Sequence, residues 1–159
     1  MVIYLGADHR GFQLKEHVKQ VLLDRGYPVV DLGNAVYDES DDYPDFAQKV
    51  AQKVSVDFER GRGILFCGSG VGVDIVANKF PHVRSALAGT PNQAFDSRAD
   101  DNSNILSLGA NYIEPEDAIK IISTWLETPF SEDERHKNRL RKIDHIETVV
   151  AEIKHDRGL

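Results

Sequence analysis

The sequence predicts an α/β protein, built as a three-layer sandwich with a five-stranded parallel sheet between two layers of helices. Short apolar runs alternate with helical patterns along the whole chain, and this alternation is typical of a parallel sheet. The 159 residues suffice for one domain with a sizeable core, and no linker, repeat or low-complexity segment divides them. We therefore expect a single domain over residues 1–159, with a long C-terminal helix.

Five apolar segments bounded by turn residues are predicted as strands. They cover residues 2–6, 29–32, 64–67, 83–88 and 105–108. Six segments carry apolar residues three and four positions apart, which is the spacing of an amphipathic helix. They cover residues 12–25, 44–58, 75–80, 90–99, 115–126 and 132–156.

Local signals mark several helix ends. Gly26 stops the first helix, and Pro44 is tolerated in the first turn of the second. Gly61 and Gly63 are expected to break the second helix before the central strand. Ser131, followed three residues later by Glu134, matches a capping box for the last helix. That helix is long for a small domain, so we expect residues 132–156 to pack on a second subunit rather than on their own sheet.

Composition excludes some classes of protein. The net charge of −7 argues against a general nucleic-acid binder, and no apolar run reaches the length of a membrane span. The first residues show no signal-peptide pattern. The single cysteine cannot form an internal disulfide, so we expect a cytoplasmic protein.

The stretch from Cys67 to Gly72 stands out chemically. The only cysteine ends the central strand, and glycines follow at 68, 70 and 72 before a helix begins. Such a turn presents backbone N–H groups that suit an anion, and a thiol beside them should ionise more easily. Val73 stands where a dinucleotide fingerprint needs its third glycine, and no Gly-Lys-Ser/Thr follows as in a P-loop. The alternative for Cys67 is a small buried core residue.

Three groups of residues follow strand ends, where open parallel sheets bind ligands. They are Asp8 with His9, Cys67 with its glycine turn, and Gly89 with Thr90. We expect the three groups to meet at one edge of the sheet. His9 alone could also be an ordinary surface or capping histidine.

Two charged clusters lie elsewhere. Arg135 and Arg139 are four residues apart, hence on one helix face, and with His136 they could clamp a phosphate or pair with neighbouring acids. The acids of the loop over residues 33–43, which include Asp38 and Asp41, are expected to be solvated. No group of side chains has the spacing of a metal site.

Six segments resemble the family of type B ribose-5-phosphate and galactose-6-phosphate isomerases. They are Asp8-His9-Arg10-Gly11-Phe12, Asp42-Tyr43-Pro44-Asp45-Phe46-Ala47, Cys67-Gly68-Ser69-Gly70-Val71-Gly72, Ala77-Asn78-Lys79-Phe80, Ser97-Arg98 and Arg135-His136. The resemblance implies a Rossmann-like fold, no metal and no cofactor. It also implies a homodimer or tetramer whose active sites are shared between subunits and bind a phosphorylated sugar.

The family chemistry is the interconversion of an aldose and a ketose through an enediolate. By resemblance, Cys67 would be the base that moves the proton, with a valine at 73 where other members carry a glutamate base. The N–H groups of Gly68, Ser69, Gly70, Val71 and Gly72 would hold the enediolate oxygen, and the Ser69 hydroxyl could assist. Asp8 and His9 match sugar-contacting positions, and Arg135 and Arg139 match phosphate-binding positions.

The chain departs from the family pattern after Ser97-Arg98. Asp100 replaces the histidine that opens the sugar ring, Asp101 replaces an asparagine that contacts a hydroxyl, and Asn111 replaces an arginine. Asp100 could open the ring if its carboxyl were protonated, His9 could do so instead, or the substrate could arrive open-chain.

The sequence therefore predicts a sugar-phosphate isomerase, with ribose 5-phosphate and ribulose 5-phosphate as the expected pair. The alternatives are an isomerase of hexose 6-phosphates of the galactose or allose type, or a sugar-phosphate binding protein without catalysis. A nucleotide-binding domain is a third alternative, which Val73 disfavours.

Overall fold

The computed structural model describes residues 1–157 and has the predicted fold, with five parallel strands and six helices in that range. In chain order the elements are β1 (Val2–Ala7), α1 (Phe12–Asp24), β2 (Val29–Asp31), α2 (Tyr43–Val56), β3 (Gly61–Cys67), α3 (Val71–Ala77), β4 (Ser85–Leu87), α4 (Pro91–Ala99), β5 (Ile105–Gly109), α5 (Pro115–Glu127) and α6 (Glu134–Asp156).

The strands lie in the order β2-β1-β3-β5-β4, and every pairing is parallel. The chain leaves β1 for β2 on one side and returns to β3 on the other. This reversal opens a crevice between the carboxyl ends of β1 and β3, where open α/β sheets bind their ligands. The segments after Ala7 and Cys67 border that crevice.

Helices cover both faces of the sheet. Along β3, Ile64 and Phe66 pack in one core cluster with α1 and α5, whereas Leu65 and Cys67 pack in the other with α2 and α3. Successive strand residues point to opposite faces, so burial on both faces explains why residues 64–67 of β3 form an unbroken apolar run. The same alternation places the Cys67 side chain on the α2 and α3 face.

The second helix ends at Val56, so it does stop before Gly61 and Gly63. Both glycines lie in β3, which begins at residue 61 rather than at residue 64. A Cβ on Gly63 would come within 2.7 Å of Val50 Cγ1 and 2.9 Å of Ile105 Cγ1. The absence of a side chain therefore allows α2 to pack directly on the sheet.

The last helix starts differently from the prediction. Asp133, not Ser131, is the N-cap, and its carboxylate accepts the Arg135 N–H at 2.8 Å. His136 is the buried residue of α6, whereas Ile143, Ile146 and Val150 are at least 37% exposed. The apolar stripe of α6 is thus largely uncovered in the protomer.

Within residues 1–157, no helix has the length and apolar character needed to cross a membrane.

Candidate active site

The turn after β3 depends on glycine for its shape. Gly70 has φ of +79°, in the left-handed region that side-chain-bearing residues rarely adopt. A Cβ there would lie 2.5 Å from Leu87 Cδ1 and 2.9 Å from the backbone nitrogen of Gly109. The backbone conformation and the lack of space both require glycine at position 70. With glycine there, the turn packs directly against the ends of β4 and β5.

Cys67 ends β3 and is 4% exposed. The N–H of Gly70 donates to Cys67 Sγ at 3.1 Å, and the N–H of Val71 donates to Ser69 Oγ at 3.3 Å. These two N–H groups are engaged within the turn, although the sequence had suggested that they face the ligand. The turn's remaining donors, on Gly68, Ser69 and Gly72, are the ones left for an oxyanion.

Asp8 follows β1 and lies beside Cys67, because Ala7 is in register with Phe66. Its Oδ1 accepts the N–H groups of Arg10 and Gly11, each at 3.0 Å. Burial raises the pKa of Asp8, and the two backbone hydrogen bonds oppose that shift. Asp8 thus shapes the turn into α1 and brings a carboxylate to the crevice.

His9 is held by a residue that sequence reasoning had placed in solvent. Asp41 Oδ1 accepts both the His9 backbone N–H at 2.7 Å and ring Nδ1 at 2.9 Å. The Asp41 side chain is only 7% exposed, so its prediction as a solvated loop acid is wrong. The hydrogen bond to Asp41 is the largest cause that raises the pKa of His9.

Arg10 and Tyr43 also border the glycine turn, and sequence reasoning assigned neither a role. A Cβ on Gly68 would meet Arg10 Nε at 2.9 Å, and one on Gly72 would meet the Tyr43 ring at 2.8 Å. The Arg10 guanidinium therefore lies against the turn, as does the Tyr43 ring. The sequence feature that could have indicated a role for these two residues is their position in the family-like segments Asp8-His9-Arg10-Gly11 and Asp42-Tyr43-Pro44.

The third predicted group lies at the same edge of the sheet. A cavity of 370 Å³ is lined by Ser69 of the glycine turn and by Gly89, Gln93 and Gly109. Gln93 Oε1 accepts the Gly89 N–H at 2.8 Å, which ties the start of α4 to the end of β4. Asn111 adjoins the turn as well, since its N–H donates to the Gly68 carbonyl at 2.9 Å.

The remaining predicted residues lie at the opposite edge. Asp100 is the C-cap of α4, and β5 starts five residues later at Ile105. Gly109, at the other end of β5, is in register with Cys67. The four steps from Ile105 to Gly109 span about 13 Å along β5, and Asp100 and Asp101 precede the amino end of that strand, whereas Cys67 lies level with its carboxyl end.

A basic group accompanies Asp100. His136 Nδ1 lies 2.9 Å from Ser131 Oγ and 3.5 Å from Asp100 Oδ1, and His136 Nε2 lies 3.3 Å from Arg135 Nη2. Arg135 and Arg139 are exposed. The predicted site residues therefore fall into two separate groups within the chain: one with Cys67, Asp8 and His9, and one with acidic and basic side chains.

The group at the Cys67 edge has side chains suited to proton transfer. It contains the Cys67 sulfur, which accepts one backbone N–H, together with a histidine and a carboxylate. Across the described part of the chain, no group of three or more His, Cys, Asp or Glu side chains could hold a metal ion.

Comparison with known proteins finds relatives over most of the chain. The family described as Ribose/Galactose Isomerase matches residues 3–143. Ribose-5-phosphate isomerase B of Escherichia coli K12 is 39% identical over 145 residues, covering 91% of this chain and 95% of that protein.

Solved structures are similar as well. Ribose-5-phosphate isomerase B from Mycoplasma genitalium, crystallised with bound ribulose 5-phosphate, superposes with a TM-score of 0.90 at 39% identity, covering 92% of this chain and 96% of the other. The Clostridium thermocellum enzyme gives 0.89 at 41% identity, covering 94% and 99%.

Proposed function

This chain belongs to the ribose/galactose isomerase family, and we propose that it interconverts D-ribose 5-phosphate and D-ribulose 5-phosphate. The observation that carries the proposal is the position of the Cys67 sulfur. It lies at the end of β3, receives the Gly70 N–H, and borders the same crevice as Asp8 and His9, which follow the neighbouring strand β1.

Cys67 acts as the base. Its thiolate takes the proton from C2 of the open aldose, the C–H electron pair forms the C1–C2 double bond, and the carbonyl electrons move to O1. The enediolate then loses the O2 proton and gains one on O1, and the Cys67 thiol returns its proton to C1 to give the ketose. The geometry supplies a buried sulfur that can collect and return the same proton.

The glycine turn stabilises the intermediate. Negative charge develops on an oxygen near Cys67, and the N–H groups of Gly68, Ser69 and Gly72 are the turn's available donors. Preorganised donors of this kind need no rearrangement during the reaction. The Ser69 hydroxyl, on an exposed residue bordering the 370 Å³ cavity, adds a further donor.

The phosphate is bound by Arg135 and Arg139 of a second subunit. Within one chain Arg135 lies with His136 and Asp100 at the sheet edge remote from Cys67, and Arg139 follows about one turn later on α6. A partner subunit can bring the two groups together. The exposed apolar stripe of α6 and an apolar groove of 610 Å³, lined by Ile146 and Val150, offer a surface for such a partner.

Ring opening falls to His9. Its ring is held by Asp41 in the group of residues at the Cys67 edge. Asp100 lies beside His136 and Arg135 and would enter the shared site with them, so its carboxylate is the alternative group for this step. An imidazolium can protonate the ring oxygen while the neighbouring Asp8 carboxylate accepts the proton of the anomeric hydroxyl, so that the C1–O bond opens to the aldehyde.

A panel of pentose and hexose phosphates assayed with the pure protein tests the function. Turnover of ribose 5-phosphate well above that of any hexose 6-phosphate is the expected result. Preference for a hexose 6-phosphate would move the substrate class, and ligand-induced thermal stabilisation without any turnover would indicate a binding protein. The replacements at Asp100 and Asp101 are what favour that last alternative.

Mixing two impaired variants, assayed at a ribose 5-phosphate concentration below the native KM, tests the shared site. Cys67→Ala and Arg139→Ala damage different groups, so subunit exchange between them creates one site with both native residues. We expect activity to recover on mixing. No recovery, despite exchange shown by mass spectrometry, would place both residues in the same subunit's site.

A further inference from the structure

Asp41 makes an unusual set of contacts for an acid in a surface loop. One carboxylate oxygen accepts both the backbone N–H and ring Nδ1 of His9, at 2.7 and 2.9 Å. The other accepts Asn34 Nδ2 at 3.0 Å. With its side chain only 7% exposed, this carboxylate is committed to holding His9 and its own loop.

A buried lysine holds the loop that contains Asn34 and Asp41. Lys15 is 0% exposed, and its Nζ donates to the Asn34 carbonyl at 3.1 Å as well as to the carboxylates of Asp31 and Glu16. A chain of contacts therefore runs from Lys15 through Asn34 and Asp41 to His9. A buried charge that is fully hydrogen-bonded is a rigid support, because moving it would leave the ammonium unpaired.

The contact decides which ring nitrogen of His9 faces the ligand. A carboxylate only accepts hydrogen bonds, so Nδ1 must carry the proton that points to Asp41. Nε2 has no hydrogen-bond partner among residues 1–157, and the His9 side chain is 28% exposed. The histidine thus turns Nε2 outward and keeps Nδ1 protonated in every charge state.

We propose that Asp41 is a positioning residue for His9, which it fixes in one tautomer and favours as the imidazolium whose Nε2–H donates to the bound sugar phosphate. This role rests on the proposed isomerase function. The His9–Asp41 geometry by itself does not depend on the substrate.

Three other groups face His9, and their effect on its protonation either favours the imidazolium as Asp41 does or is weaker than that of Asp41. Asp8, the preceding residue, adds a second negative charge, and Asp38 of the Asp41 loop lies within electrostatic reach. The ring of Tyr37 meets the His9 ring edge-on at 6.5 Å. The Asp38 carboxylate accepts hydrogen bonds from the Ser40 N–H and hydroxyl. Replacing Asp38 therefore removes a charge from the same loop without removing a hydrogen bond to His9, and it serves as a control.

Nitrogen NMR of the histidine rings, without any substrate, tests the geometry. The His9 signal is identified by its loss in His9→Gln. Asp41→Asn puts a neutral amide beside the ring, so we expect a lower His9 pKa and mixed tautomers, whereas Asp38→Asn should leave the tautomer unchanged. An Asp41→Asn spectrum that keeps the native tautomer and titration would overturn the proposal.

Kinetics test the consequence. Loss of general-acid positioning should lower kcat for ribose 5-phosphate by about tenfold to a hundredfold in Asp41→Asn, with a smaller change in KM. The alkaline limb of kcat against pH should move to lower pH, since His9 loses its proton sooner. If kcat falls equally in Asp41→Asn and Asp38→Asn, then Asp41 acts only through its negative charge, and the positioning role is rejected.

A second variant and the wild type separate the two proposals. If Asp41→Asn does not fold, Asn34→Ala removes the other partner of the carboxylate, and a smaller shift of the His9 titration in the same direction is expected; an unshifted titration counts against the proposal. If the wild type isomerises no sugar phosphate, the proposed function fails, whereas the NMR comparison still decides whether Asp41 positions His9.

Discussion

The backbone N–H of Gly70 points at the Cys67 sulfur, with 3.1 Å between nitrogen and sulfur. This contact links the shape of the glycine turn to the chemistry of the thiol. The positive φ of Gly70 orients this N–H toward the sulfur. The group that donates to Cys67 is therefore a backbone amide, whose position depends on the conformation of the turn.

Removing the sulfur should stop proton transfer but not binding. In Cys67→Ala we expect exchange of the substrate C2 proton with solvent deuterium to fall by about a hundredfold or more, since a positioned acid or base contributes about 10²- to 10⁴-fold. Proton NMR in deuterium oxide measures the exchange, and calorimetry measures the binding. Ser69→Ala is the matched control, with a smaller expected loss, and undiminished exchange in Cys67→Ala would show that another group is the base.

Replacing Gly70 by Ala should destabilise the fold and reduce activity. The left-handed conformation costs a substituted residue about 1–2 kcal/mol, and the contacts with Leu87 and Gly109 add to that cost. Gly26→Ala is the control, because Gly26 has a similar φ of +81° but no atom within 4 Å of the position that a Cβ would take. Urea denaturation compares the stability of the two variants. Equal destabilisation would mean that the turn can relax away from β4 and β5.

Truncating Arg139 should weaken the binding of phosphorylated sugars selectively. A charge-assisted hydrogen bond contributes about 1.5–3 kcal/mol, so KM for ribose 5-phosphate should rise by about tenfold to a hundredfold in Arg139→Ala. The rate with unphosphorylated ribose should change little. Arg141→Ala, on the same helix with a 62% exposed side chain, serves as the control. A similar effect on both sugars would assign Arg139 a structural role.

The His9–Asp41 pair should make stability depend on pH. The pKa of His9 is raised from its ordinary value of 6.5, chiefly by the hydrogen bond to Asp41. The folded state then binds its proton more tightly than the unfolded chain, so the stabilisation is fully present below pH 6.5 and is lost as pH rises through the folded pKa. Tm curves of the wild type and His9→Gln from pH 5 to 8.5 should differ most at the acid end. Parallel curves would mean that the pair is not linked to folding.

Much of the molecule follows from residue pattern. The alternation of apolar runs with helical stripes predicted the parallel sheet, since burying both faces of a strand demands that composition. The glycines after Cys67 predicted a tight turn at a strand end, and the strand order then placed Asp8 and His9 beside it. Pattern also misplaced two boundaries. β3 begins at Gly61 rather than at Ile64, and the N-cap of α6 is Asp133 rather than Ser131.

The sequence by itself determined the fold class, the position of Cys67 and the glycine turn, because these depend on local periodicity and on residues adjacent in the chain. Only the tertiary structure decided that Asp41 turns inward onto His9, 32 residues away, and that Asp100 lies at the opposite sheet edge from Cys67. The path of a loop depends on distant hydrogen-bond partners, such as Asn34 and the buried Lys15, and no local pattern encodes those partners.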